Sequence, residues 1–182
     1  QNTQTAAVQS AGTQNTVSTA ASSTKTASKQ TISNVASIAP KMDSRVLNAY
    51  SRMGFTVTVD PSYAYAGHFD ARSRNITVQE ADETVYHELG HFLAFIAGNV
   101  DQSSAFASVY NSEKSKFTGY NKAYATQNAS EYFAESVKDY MLNGAALSSQ
   151  RPETYKAIQS ALSTVTTARA DAILKAYASI WN

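Results

Sequence analysis

The chain has 182 residues, 43% of them hydrophobic, which is enough for one compact domain with a core of its own. Its net charge is +1 and neither sign forms a long run, which argues against a nucleic-acid partner, because such proteins carry a clustered basic surface. No apolar stretch reaches the roughly eighteen residues of a membrane span, so no membrane insertion is expected. Cysteine is absent, which excludes disulfides and thiolate metal ligands.

Residues 1–39 consist almost entirely of Ser, Thr, Ala, Gln and Asn and contain no aromatic residue. Such a segment buries too little apolar area to offset its ordering entropy, so it predicts a flexible leader or linker. The folded domain is then expected at residues 40–182. The polar start resembles the beginning of a mature exported chain, and the absence of cysteine fits a Gram-positive-type exported protein, although it fits many cytosolic proteins too. We therefore expect a secreted, extracellular chain, with wall association as one interpretation.

The first elements predicted after the leader alternate between helix and strand. Residues 42–53 carry apolar side chains at helical spacing, and Gly54 is well placed to end that helix. The alternating segment 55–59, FTVTV, predicts a strand. Next, AGHFD (66–70) and NITVQ (75–79) flank the polar turn ARSR, and this arrangement predicts a β-hairpin.

From residue 82 onward the pattern is helical. Helices are predicted over about 82–97, over 102–116, from Asn128 to Gly144, from Pro152 onward, and in the segment that ends at Trp181. Two or three strands followed only by helices predict an α+β fold. Its small twisted sheet or hairpin precedes the helix at 82–97, and its C-terminal half is all helical.

Residues 87–91 read HELGH, an HExxH motif inside the predicted helix at 82–97. Histidines four positions apart share a helix face with Cβ atoms about 5–6 Å apart, so His87 and His91 can reach one zinc ion at about 2.0–2.1 Å. Glu88 can lie beside the open position of the metal and take a proton from bound water. With three His and seven Glu in the chain, chance gives only about 0.002 such matches. The motif therefore favours a zinc peptidase over two histidines packed on a buried helix face.

A catalytic zinc site needs a third protein ligand and an open fourth position. The continuation HExxHxxGxxH is missing, because Ala94 and Ala97 occupy its later positions. The segment ASEYFAES offers Glu131 and Glu135 on one helix face; one could bind the ion while the other holds a histidine by its second ring nitrogen. Spacing alone does not choose between them, and a solvated acidic face is the alternative interpretation. His68 is expected to be a surface or cleft-edge residue.

TVYHELGH, followed some forty residues later by EYFAES, resembles the anthrax lethal factor catalytic domain and the related Pro-Pro endopeptidases, a family of zinc metallopeptidases. That family carries HExxH, then a Tyr, then E-[FY]-F-A-E seven residues after the Tyr. Here Tyr124 stands seven residues before Glu131. RPETYKAIQ, at 151–159, also resembles the family, so the likeness covers about residues 55–160.

The resemblance implies a zincin-like fold of the gluzincin type, with one catalytic Zn²⁺ ion bound by His87, His91 and Glu131. Glu135 would be the carboxylate that orients a zinc-binding histidine, and Tyr124 would donate a hydrogen bond to the oxyanion of the tetrahedral intermediate. The edge strand along which an extended substrate lies would be the segment Asn75, Ile76, Thr77 and Val78.

We therefore expect a secreted, monomeric zinc endopeptidase that hydrolyses peptide bonds of an extended peptide or protein substrate, with Glu88 as general base. Alternatives from other classes stay open. They are a non-catalytic binding module on the same fold, a zinc amidase that acts on cell-wall peptides, and a toxin effector whose leader serves delivery. The sequence does not specify the scissile bond or the natural substrate.

Overall fold

The part of the chain that the computed structural model describes, residues 28–182, is an α+β fold with a small mixed sheet and a mostly helical remainder. The strands are β1 (Gln30–Ile32), β2 (Thr56–Val59), β3 (Gly67–Asp70) and β4 (Asn75–Val78). The helices are α1 (Ser44–Arg52), α2 (Thr84–Ile96), α3 (Ser104–Glu113), α4 (Lys122–Ala125), α5 (Ala129–Gln150), α6 (Pro152–Ser163), α7 (Thr167–Ala176) and α8 (Ala178–Trp181). Short 3-10 turns lie at Val35–Ser37, Val100–Gln102 and Lys114–Lys116.

The four strands form one sheet in the order β1-β2-β4-β3. β2 and β4 pair in parallel, whereas β1 pairs antiparallel with β2 and β3 pairs antiparallel with β4. β3 and β4 form the hairpin that the sequence predicts, with Gly67 opposite Val78 and Asp70 opposite Asn75. This order makes β3 the edge strand on the side of the hairpin.

β4, the segment predicted to be the substrate-binding edge strand, is an interior strand. Its backbone alternates between two partners: the carbonyl of Val78 accepts from the Asp60 amide on the β2 side at 2.8 Å, and the Gln79 amide donates to the Ala66 carbonyl on the β3 side at 3.0 Å. A strand paired on both sides has no free row of backbone groups to offer a substrate. The edge-strand prediction is therefore wrong for Asn75, Ile76, Thr77 and Val78.

Residues 30–39, which composition assigns to the leader, are part of the fold. β1 pairs with β2, and Val35 and Ala39 are buried in the core. The neighbouring strand supplies backbone hydrogen bonds that a polar segment can use whatever its side chains are. The predicted boundary at residue 39 is wrong for this stretch, whereas residues 1–27 of the predicted leader lie outside the described part of the chain.

The predicted helices are confirmed with shifted ends, except that the segment ending at Trp181 is divided at Tyr177 into α7 and α8. The helix predicted at 102–116 finishes in a 3-10 turn after α3. The helix predicted to stop at Gly144 continues as α5 to Gln150, across a non-helical residue, Asn143. Within residues 28–182, no helix combines the length and the apolar content that crossing a membrane requires.

Helices α2 and α5 pack face to face at the centre of the helical part. α5 begins at the cap residue Asn128, whose side chain accepts from the Glu131 amide at 2.8 Å. The two helices approach closely at Gly90 of α2, where a Cβ atom would stand 2.7 Å from both the Cα and the carbonyl oxygen of Ala134. Because glycine permits this approach, the HELGH and EYFAES segments meet.

Candidate metal centre and cleft

Three side chains that can ligate a metal ion converge where α2 faces α5. His87, His91 and Glu131 each offer a ligand atom, and these atoms all lie within 4.8 Å of one another. Nε2 of His87 is 3.0 Å and Nε2 of His91 is 3.7 Å from the same oxygen, Oε2 of Glu131. Two imidazoles and one carboxylate are a donor set of catalytic zinc sites that keep a fourth position open. The chemistry of these residues therefore fits zinc.

The two glutamates of EYFAES face different nitrogens of one imidazole. Glu131 faces Nε2 of His87, whereas Oε2 of Glu135 is 2.8 Å from Nδ1. A metal-bound imidazole typically uses one nitrogen for the metal and the other for a carboxylate. Sequence reasoning missed Asn121, which donates to Oε1 of Glu135 at 3.0 Å, and Lys138, which forms an ion pair with the same oxygen. Lys138 follows Glu135 by one helical turn and could have been found from that spacing, whereas Asn121 carries no local signal.

The carboxylates change the protonation of the metal-free site. Burial lowers the pKa of His87, but hydrogen bonds with Glu131 and Glu135 outweigh it and raise the pKa to about 9. Burial raises the pKa of Glu135, yet hydrogen bonds with His87 and Lys138 lower it to about 2, and the pKa of Glu131 is lowered by hydrogen bonds with both histidines against the effect of burial. These opposite directions favour an imidazolium at His87 between two carboxylates.

Glu88 lies buried beneath strand β3, with only 4% of its surface exposed. Burial raises the pKa of its carboxyl above the ordinary value, against the effect of the neighbouring charges of His87 and His91. A Cβ atom on Gly67 of β3 would stand 2.8 Å from Cγ2 of Thr84 and 2.9 Å from Cδ of Glu88. The strand can cross this carboxyl so closely because it carries glycine there, a requirement that sequence reasoning missed.

Tyr124, carried by the short helix α4, lies beside these groups. Its ring centroid is 6.0 Å from that of His87. Burial and the neighbouring Glu131 carboxylate raise the pKa of its phenol, so the hydroxyl keeps its proton throughout the neutral range. The side chain is 53% exposed. Tyr124 therefore presents a protonated phenol at the cleft, beside Glu131.

An open cleft runs across the site between β3 and the helices. It consists of a cavity of about 510 Å³ and a second of about 620 Å³, and Gly67, Glu88 and Tyr124 line both. His68 also lines both, as expected of a cleft-edge residue. The smaller cavity is polar and is further lined by Asp70, Arg72, Asn99, Asp101, Gln102 and Ser130. The larger one is aromatic and is further lined by Tyr63, Tyr65 and Tyr120.

Strand β3 turns free backbone groups towards this cleft. Antiparallel pairing alternates along a strand, and Ala66 accepts from Gln79 of the β4 side. Residues 66, 68 and 70 therefore bond to β4, while Gly67 and Phe69 point their N–H and C=O groups the other way. Among the described residues no further strand pairs on that side. This edge, and not β4, has the main-chain groups that an added strand requires.

Comparison with known protein families matches residues 13–161 to the family described as anthrax toxin lethal factor, N- and C-terminal domain. The matched region includes α2 with HELGH, Tyr124 and the whole of α5, and it ends within α6, before α7 and α8. Comparison with curated proteins finds no match.

Proposed function

Because the chain belongs to the anthrax toxin lethal factor family, we propose that it is a zinc-dependent endopeptidase of the zincin type that hydrolyses a peptide bond of an extended substrate. The observation that carries this proposal is the convergence of His87, His91 and Glu131 beside the buried Glu88, in an open cleft. A structural cluster of histidines would not need an acid of raised pKa at the floor of a cleft, whereas hydrolysis does.

His87, His91 and Glu131 would hold one zinc ion, and Glu135 would keep the His87 ring oriented through Nδ1. Zinc held there would lower the pKa of a water molecule from about 15.7 towards 7 and would polarise the substrate carbonyl. Asn121 and Lys138 hold Glu135 in turn, so the position of the ring depends on a chain of three contacts.

Glu88 takes the proton from the attacking water and passes it to the leaving amine nitrogen. The burial that raises the pKa of Glu88 brings that pKa closer to neutrality, where a carboxylate both accepts and returns a proton efficiently. Tyr124 donates its hydroxyl proton in a hydrogen bond to the carbonyl oxygen as negative charge develops there. One such donor is worth about 2.7–4 kcal/mol in comparable sites.

Strand β3 binds the substrate main chain. An extended peptide would add to the sheet beside β3 and exchange hydrogen bonds with Gly67 and Phe69. Because Gly67 lies directly over Glu88, this register carries the peptide across the general base. Its side chains would enter the polar cavity on one side of Glu88 and the tyrosine-lined cavity on the other.

The test is zinc content and peptide turnover of the purified chain and of four variants. The parent should bind one zinc ion and hydrolyse an unstructured protein substrate. Glu131→Ala should lose the metal, Glu135→Ala should bind it about 10–100-fold more weakly, and Glu88→Ala should keep it while losing most turnover. Glu153→Ala, at an exposed glutamate of α6, is the matched control and should match the parent in both assays.

Each failure has a distinct meaning. Substantial hydrolysis by metal-replete Glu88→Ala would remove the general-base role. A parent that binds zinc and peptide but hydrolyses neither proteins nor peptides would be a binding module. Cleavage of purified muropeptides without cleavage of proteins would identify a cell-wall amidase. If the parent binds no zinc, the proposed function is wrong.

A further inference from the structure

Helix α8 contacts the turn that follows the edge strand β3. Nε1 of Trp181 donates a hydrogen bond to the carbonyl of Ala71 at 2.9 Å, and the backbone carbonyl of Trp181 accepts from Nη2 of Arg74 at 3.3 Å. Ala71 and Arg74 are the first and last residues of the turn between β3 and β4. One residue of α8 therefore holds both ends of this turn.

Arg74 has an unusual backbone conformation that these contacts support. Its φ is 53°, in the left-handed region that residues other than glycine seldom adopt. Its guanidinium donates to the carbonyl of Met53 at 3.2 Å and lies 5.4 Å from the centroid of the Trp181 ring. A conformation of this kind persists where the surrounding contacts hold it, and Trp181 supplies two of those contacts.

An aromatic cluster joins α8 to β3 itself. The Trp181 ring lies 5.8 Å from the ring of Phe55 and 6.4 Å from that of Phe95. Phe69 of β3 lies 6.0 Å from Phe55 and 6.1 Å from Phe95. The same two rings therefore contact both Trp181 and the strand, and Phe95 belongs to α2, one turn after His91. The cluster connects α8, the edge strand and the helix that carries the two histidines.

We propose that Trp181 is a positioning residue for the substrate-binding edge. By fixing the turn after β3 and packing on the two rings that contact Phe69, it holds the free backbone groups of Gly67 and Phe69 in place, with Gly67 above Glu88. This inference rests on the proposed function and extends it to α8, which lies outside the family match at residues 13–161.

The physical reason is the short length of the edge strand. β3 has four residues and, within residues 28–182, pairs with β4 alone, and edge elements with few buried contacts open at low free-energy cost. A peptide that adds to a loose strand must order it, and this ordering subtracts from binding. If Trp181 keeps the edge strand ordered in the free protein, substrate binding no longer includes the free-energy cost of ordering it.

The kinetic test compares three variants with the parent. Trp181→Ala should raise KM about tenfold and change kcat less than about threefold, because the interaction lost acts on substrate binding. Trp181→Phe retains a packed ring and removes the Nε1 donor, so its KM should fall between those of the parent and Trp181→Ala. Ile180→Ala, at an exposed neighbour on the same helix, should leave both constants unchanged. Zinc content should equal that of the parent in all three.

Amide hydrogen exchange provides a readout that needs no turnover. The amides of His68 and Asp70, which bond to β4, should exchange at least tenfold faster in Trp181→Ala, while amides in the centre of α2 keep their protection. Unchanged exchange at these two amides overturns the role of Trp181 even if the parent is an active peptidase. A fall in kcat at constant KM, or a loss of zinc, overturns it as well. A parent without hydrolysis refutes the proposed function separately, whatever the exchange rates are.

Discussion

Replacing Gly90 by alanine should separate helices α2 and α5 and weaken metal binding without altering any ligand. The new Cβ would stand 2.7 Å from the Cα and the carbonyl oxygen of Ala134. Carbon atoms in contact are ordinarily about 3.5–4.0 Å apart. The obstacle is the backbone of the facing helix, which cannot rotate away as a side chain could. The helices must therefore move apart by about 1 Å at this point.

The expected magnitudes follow from that displacement. Overpacking of this kind costs about 1–3 kcal/mol of folding stability, partly offset by about 1 kcal/mol because alanine favours helix over glycine. Metal binding is more sensitive to this displacement than folding is, since zinc–ligand distances tolerate deviations of only about 0.2 Å. Because His87 and His91 lie on α2 and Glu131 lies on α5, we expect zinc affinity to fall about 10–100-fold, the scale of a lost supporting contact.

Competition with a chromophoric chelator measures zinc affinity, and urea unfolding of the metal-free protein measures stability. Gly144→Ala is the matched control, because it is the same substitution in α5 at a site where the nearest heavy atom to a new Cβ is Cε2 of Tyr155 at 3.9 Å. It should keep zinc affinity and lose no stability. If Gly90→Ala binds zinc as tightly as Gly144→Ala does, the helix contact does not set the ligand geometry.

Three further predictions concern protons and hydrogen bonds. The pKa of His87 is raised to about 9 without metal, and zinc requires a neutral imidazole, so zinc binding at pH 7.5 should release about one proton. Calorimetry in two buffers of different ionisation enthalpy measures the number of protons released, and a value near zero would contradict this prediction. Tyr124→Phe should lower kcat/KM about 10²–10³-fold with unchanged zinc content; loss of zinc would instead indicate a structural role. Glu113 is buried and accepts from the amide and the hydroxyl of Thr154 at 2.9 and 2.8 Å, so Glu113→Gln should cost about 1–3 kcal/mol in urea unfolding, and an unchanged midpoint would contradict this.

Local patterns were sufficient for the parts of the fold that depend on neighbours in sequence. Helix α2, the helix that starts at Asn128 and the β3–β4 hairpin were predicted because helical periodicity, helix-start signals and short turns all involve residues a few positions apart. The HELGH motif belongs to this class, since His87 and His91 share a face of one helix whatever packs against it. The candidate ligands on α2 and the α+β class followed from the sequence for that reason.

Strand order was not accessible in the same way. β1 lies in a segment whose composition predicts no structure, yet its residues pair with β2 residues 25 to 29 positions further along the chain. The sequence of β4 fits an edge strand as well as an interior strand, because the alternation of side chains along a strand does not indicate how many neighbouring strands it has. The parallel pairing of β2 with β4 makes β4 interior and leaves β3 beside the cleft.

The sequence by itself determined which residues could bind a metal ion, and only the tertiary structure decided how they meet. Glu131 and Glu135 share a helix face, so spacing could not tell which of them is the metal ligand. The contact of Gly90 with Ala134 places Glu131 against Nε2 of His87 and Glu135 against Nδ1. The contact of Trp181 with the turn after β3 spans 110 residues. Periodicity and capping act over one or two turns, whereas docking depends on which surfaces meet when the whole chain packs.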